Sequence, residues 1–82
     1  MIAAVAIAHE VRPAETATDR LGDWLAQPGN HLAVERPAGS RYLVVAYTTA
    51  EGRRAPWAYG YGSTAVEAIE DCAQRGCESG SW

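Results

Sequence analysis

Residues 57–77, WAYGYGSTAVEAIEDCAQRGC, constrain the fold more tightly than any other stretch of the chain. Trp57, Tyr59 and Tyr61 alternate with Ala58, Gly60 and Gly62, so a strand here carries large rings on one face and almost nothing on the other. A helix must follow. Thr64-x-x-Glu67 matches a capping box, in which the threonine hydroxyl accepts the third helical amide and the glutamate accepts the threonine's own amide. Ala65, Ala68, Ile69, Cys72 and Ala73 then fall on one apolar stripe. Glu67, Glu70 and Asp71 toward the start and Arg75 toward the end suit the helix macrodipole. Gly76 is expected to stop the helix in a left-handed conformation, which makes residues 1–77 the domain and residues 78–82 a flexible tail.

Upstream, residues 2–8 read as a short apolar strand. From Pro13 the period changes. Ala14, Ala17, Leu21, Trp24 and Leu25 recur at three- and four-residue spacing, Glu15 and Asp19 favour a helix start, and Gln27-Pro28-Gly29 ends the helix. Leu32 and Val34 alternate with Ala33 and Glu35 in a half-buried strand over residues 31–36. Residues 41–49, RYLVVAYTT, form a central strand by their β-branched and aromatic content. Residues 50–56 read as a charged loop holding Glu51, Arg53 and Arg54. The expected fold is α+β in the order (β)-α-β-β-β-α, an antiparallel sheet of three or four strands with both helices on one face.

A chain of 82 residues makes one domain with a small core, and much of its 48% hydrophobic content is alanine. Ten carboxylates against seven basic residues, all arginine, give a net charge of −3 with the signs interspersed. That balance argues against a nucleic-acid partner. The first residues lack a basic region, and no apolar run approaches a membrane span, so a cytoplasmic protein with no membrane partner is expected.

Few residues carry recognisable chemistry. His9 and His31 have no nucleophile placed by a motif, so no enzymatic activity and no catalytic residue is assigned. Gly60-x-Gly62-x-x-Ala65 formally fits a dinucleotide fingerprint, but no second parallel strand follows it, and no cofactor is expected. Cys72 and Cys77 are expected to meet in a Schellman-type helix ending, as packed thiols or as a reversible disulfide that would make the protein redox-responsive. Their spacing fits no metal motif, and no metal site is assigned.

Two placements of the ring-bearing strand are open: the rings form the core, or they face outward as a platform. In the second case Trp57, Tyr59 and Tyr61, rimmed by Arg53 and Arg54, bind another protein. Tyrosine and tryptophan combine large contact area with a polar handle, and arginine pairs directionally with carboxylates. A homodimer would also supplement so small a core.

The joint formed by Gly62-Ser63-Thr64 and Glu67-Ala68-Ile69 resembles the G-x-T-x-x-E-A-I joint of HicB-type antitoxins. That resemblance implies a small β-β-β-α unit covering a toxin's active face. The α-β-β-β-α order is also similar to double-stranded RNA-binding domains, but Ser63-Thr64-Ala65-Val66-Glu67 stands where those domains place phosphate-gripping lysines. In size and make-up the chain resembles small phage-encoded inhibitors of the anti-CRISPR type. The sequence is therefore read as a non-catalytic inhibitor or regulator that occupies a partner protein's surface, with an antitoxin subunit and a redox-responsive protein as alternatives.

Overall fold

A computed structural model of the protein describes residues 16–37 and 39–82. Helix α1 (Ala17–Leu25) leads into a three-stranded antiparallel meander of β1 (Asn30–Glu35), β2 (Tyr42–Ala50) and β3 (Arg53–Gly62), and helix α2 (Ala65–Ser79) follows. This is the expected α+β order with both helices on one sheet face. The strand expected at residues 2–8 lies outside the described residues, as does His9. Among the described residues no helix is long and apolar enough to cross a membrane.

Each helix begins where its sequence provides a cap. Thr16 Oγ1 accepts the Asp19 amide at 3.0 Å and the Asp19 carboxylate accepts the Thr16 amide at 3.2 Å. This reciprocal box starts α1 at Ala17, and Pro13, Ala14 and Glu15, read with this helix in the sequence, lie outside the described residues. At α2, Thr64 Oγ1 accepts the Glu67 amide at 3.1 Å as expected. The Glu67 carboxylate, however, takes the amide of Ser63 at 3.0 Å instead of that of Thr64. Asn30 closes the other end of α1 by donating its side-chain amide to Trp24 O at 2.8 Å.

Two boundaries differ from expectation. Residues 50–56 are not a loop: Glu51 (φ 55°) and Gly52 (φ 76°) form a two-residue turn, and strand pairing resumes at Arg53 opposite Ala50. Two consecutive positive φ values are the conformation that matches the twist of a tight hairpin. Pro56 does not break β3, because β3 is an edge strand whose outer side needs no proline N–H.

The second difference is at the C-terminus. Helix α2 runs straight through Gly76 to Ser79 and ends at Gly80, whose φ of 80° is left-handed. The Ser81 amide reaches Gly76 O at 2.7 Å and the Gly80 amide reaches Cys77 O at 3.2 Å, which together are a Schellman ending. The expected motif is present one turn later than placed. Gly76 is small for another reason: a methyl there would overlap the indole of Trp82, which folds back onto the helix and donates Nε1 to Ala73 O at 3.0 Å. Residues 78–82 are thus a helix end and a packed tryptophan, not a loose tail.

The core lies between the helices and one sheet face. Leu21 and Trp24 from α1, Val44 and Ala46 from β2, and Ala68, Cys72 and Ala73 from α2 are buried, with Leu32, Tyr42 and Ala58 packed against them. Alanine and glycine set the spacing of this interface. A methyl on Gly60 would collide with the backbone of Ala68 and Cys72, and one on Gly62 with that of Glu67 and Ala68. Helix α2 therefore rests its main chain directly on β3, which fixes which side of the strand is covered.

Candidate partner-binding face

Because Gly60 and Gly62 lie beneath α2, Tyr59 and Tyr61 point to the side of the sheet that carries no helix. They are 50% and 38% exposed, so the rings are not the core. The register places Tyr61 opposite Leu43, Tyr59 opposite Val45 and His31 opposite Tyr47, all on the same face. His31 and Tyr47 stack at 5.3 Å, and Tyr59 meets Tyr61 edge-on at 5.8 Å. A shallow hollow of about 180 Å³ lies between Ala33, Glu35, Val45, Tyr47, Arg54 and Pro56.

Each tyrosine of this face carries an arginine. The guanidinium carbon of Arg54 lies 4.7 Å from the Tyr47 ring centre, that of Arg41 5.1 Å from Tyr61, and that of Arg75 5.5 Å from Tyr59. Stacking of this kind holds an arginine flat while leaving its N–H fork open to a second group. Arg75 reaches the face from α2, around the outer edge of β3, and is anchored by Asp71 at 2.8 Å. Asp71 also accepts the Tyr61 amide at 2.9 Å. That backbone hydrogen bond, helped by Arg75 and Arg41 and opposed by partial desolvation, holds the Asp71 carboxyl below its ordinary value.

The five expected binding residues therefore divide. Tyr59 and Tyr61 share the helix-free face, and Arg54 joins them because the tight turn makes it part of β3. Arg53, opposite Ala50, is one position out of phase with it. Trp57 leaves the stripe altogether. Ala46 pairs with Ala58 but Tyr47 pairs with Pro56, so Trp57 is the extra residue of a bulge, and bulges re-aim side chains. Its indole stacks on Trp24 at 6.2 Å and donates Nε1 to Ser81 O at 2.9 Å. Trp82 also meets Trp24, ring centres 5.3 Å apart, so all three tryptophans meet at one corner.

Sequence reasoning offers Tyr42 or Tyr47 as a neighbour of the outward stripe, and the register selects Tyr47, with Tyr42 packed against the core. Arg41 and Arg75 were not assigned to the site by sequence reasoning. Arg75 was not recoverable, because its contact depends on how α2 crosses the edge of β3.

Cys72 and Cys77 are free thiols within one unbroken helix. Five residues of ideal helix separate their Cα atoms by about 8.6 Å and rotate them to different sides. A disulfide needs less than about 7 Å, so the expected contact and a Cys72–Cys77 bridge both require α2 to unwind. Cys72 is buried, and burial pushes its thiol up to about 11. Among the described residues no three His, Cys, Asp or Glu side chains converge as a metal site would require.

No protein-family model, no curated protein and no solved structure matches the chain.

Proposed function

We propose that this protein is a non-catalytic inhibitor or regulator that works by occupying the surface of another protein with the helix-free face of its sheet. The observation that carries this reading is the set of three arginine-stacked tyrosines, Tyr47, Tyr59 and Tyr61, around Leu43 and Val45. A domain with a small core gains from enclosing its apolar surface, yet here Tyr59 stands half exposed. Tyrosine and arginine are, with tryptophan, the residues enriched at binding hot spots, and a sheet that already holds them in place lowers the ordering cost on binding.

A narrower form of this reading is an antitoxin-like subunit. It is supported by the β1-β2-β3-α2 meander with its Thr64 cap, which is the kind of unit that the HicB resemblance implies. A small toxin gene next to this one would favour that form, and a mobile-element setting without one favours the inhibitor.

The test is capture of a partner from host extract by the immobilised chain, followed by binding measurements on the purified pair. Tyr59→Ala and Tyr61→Ala should each weaken that affinity more than tenfold, about 1.4 kcal/mol, with the fold intact by circular dichroism. Unchanged affinity in both folded variants would assign the interface elsewhere.

A further inference from the structure

We infer that the surface recognised by this face is acidic: an apolar patch of a partner protein flanked by carboxylates that pair with Arg41 and Arg54. The inference rests on the reading above and adds the partner's chemistry.

Its basis is a separation of charge that the linear sequence conceals. Among the described residues, the charged groups of the helix-free face are Arg41, Arg54 and Arg75 against Glu35, which lies opposite Leu43; Arg36 stacks on Tyr42 away from this face and Arg53 is out of phase with Arg54. In the two helices carboxylates predominate, and the arginine that reaches the sheet face, Arg75, is already paired with Asp71. A chain of net charge −3 thus presents a face on which, with Arg75 set against Asp71, Arg41 and Arg54 outnumber the one described carboxylate, that of Glu35. The guanidinium carbons of Arg41 and Arg54 lie over the Tyr61 and Tyr47 rings, and among the described residues neither forms an ion pair. Stacked, charged and unpaired guanidinium forks are preorganised for bidentate carboxylates.

Arg41 precedes β2 and Arg54 pairs with Thr49 near its far end, so the two forks bracket the face. Eight residues of strand separate those levels by about 26 Å. Between them lie Leu43, Val45 and the tyrosines, with Glu35 on β1 opposite Leu43, which suits apolar contact in the centre and acidic contact at the two arginines. A second copy of this chain is a poor occupant, because among the described residues each face carries two arginines without ion pairs, Arg41 and Arg54, against the single carboxylate of Glu35.

The test uses an extended peptide of about eight apolar and threonine residues carrying a Glu pair at each end, with Gln and Lys counterparts and an oligothymidylate as comparison probes. Fluorescence anisotropy should find binding of the Glu peptide in preference to all three, weakening at least tenfold between about 50 mM and about 500 mM salt. Arg41→Ala and Arg54→Ala should each lower that affinity several-fold, whereas Arg36→Ala, which stacks on Tyr42 away from this face, should not. Equal binding of the Gln peptide, preference for the oligothymidylate, or no binding of the Glu peptide overturns the inference. If a natural partner is lost on Tyr59→Ala but is indifferent to salt and to both arginine variants, the acidic assignment fails while the face stands. If the partner is indifferent to Tyr59→Ala and Tyr61→Ala, the face itself is wrong.

Discussion

The carboxylate of Asp71 accepts the backbone amide of Tyr61 at 2.9 Å, joining α2 to the outer edge of β3. An edge strand presents unpaired amides that invite association with other strands. Here that edge is closed from within, by Asp71 at one point and by Ser81, whose hydroxyl donates to Trp57 O at 3.3 Å, at another. The same carboxylate holds Arg75 beside Tyr59, so one residue caps an edge amide and sets part of the proposed interface.

Replacing Asp71 should therefore affect stability and its dependence on acid. Asp71→Ala leaves the Tyr61 amide without its acceptor and should cost about 1 kcal/mol, read as a lower midpoint in urea. Because the folded-state carboxyl lies below its ordinary value, its stabilising contribution is present above about pH 4 and is lost as pH falls through the depressed value. Asp71→Asn should remove that part of the acid limb. A wild-type and Asp71→Asn pair with parallel stability profiles down to acid would show that the carboxylate's charge is not what matters.

Three glycines should respond differently to the same change. Gly60→Ala and Gly62→Ala force a methyl against the α2 backbone, which has no flexible side chain to give way, and should each cost about 1–3 kcal/mol. Gly22 is exposed in the middle of α1 with nothing near its position. Gly22→Ala should raise stability by up to about 1 kcal/mol through helix propensity alone. Thermal melts of the three variants check the order, and a stable Gly60→Ala protein would mean that α2 does not rest on β3 as described.

The glycine contrast also explains which features the sequence could disclose. The alternation of Trp57, Tyr59 and Tyr61 with Ala58, Gly60 and Gly62 reveals a two-faced strand, because the period of a strand is local. It does not reveal which face the helices choose, since that depends on whether Cβ-free positions are needed beneath α2. Trp57 shows the limit of the pattern: one extra residue opposite Ala46 and Tyr47 removes it from the stripe, and Pro56 beside it is equally compatible with an edge strand and with a bulge. Charge behaves similarly. Signs that alternate along the chain are sorted between layers only once the meander and the helices take opposite sides. At the C-terminus, Gly76 and Gly80 are equally plausible stops by composition, and the indole of Trp82 decides between them by occupying the space over Gly76.

Trp82 contacts Trp24, which is only 7% exposed, and donates to Ala73 O, so it completes the core rather than trailing from it. Trp82→Ala should cost about 2 kcal/mol, less than the loss of a fully buried aromatic ring. With all three tryptophans at one corner, the emission of the folded protein reports on that corner, and the variant should shift it to longer wavelength. Truncation after Ser79 that leaves stability unchanged would return these residues to the status of a tail.

The two thiols should differ sharply in reactivity. Cys72 is buried with its thiol pushed up to about 11, mainly by desolvation, whereas Cys77 is partly exposed on the same helix. At mildly alkaline pH a thiol reagent should modify Cys77 first and reach Cys72 only at the rate of unfolding, because the thiolate is the reactive form. The raised value also has a thermodynamic consequence. The unfolded thiol ionises near its ordinary value while the folded one stays protonated, so stability is full below about pH 8.5 and falls as pH rises toward 11. Cys72→Ala should remove this part of the alkaline decline, though its lost burial lowers stability at neutral pH. Titration of both thiols in the native protein, before and after exposure to air, provides the decisive measurement. Equal labelling rates would contradict the burial of Cys72, and formation of a Cys72–Cys77 bridge without loss of helix signal would contradict the continuity of α2 through Gly76.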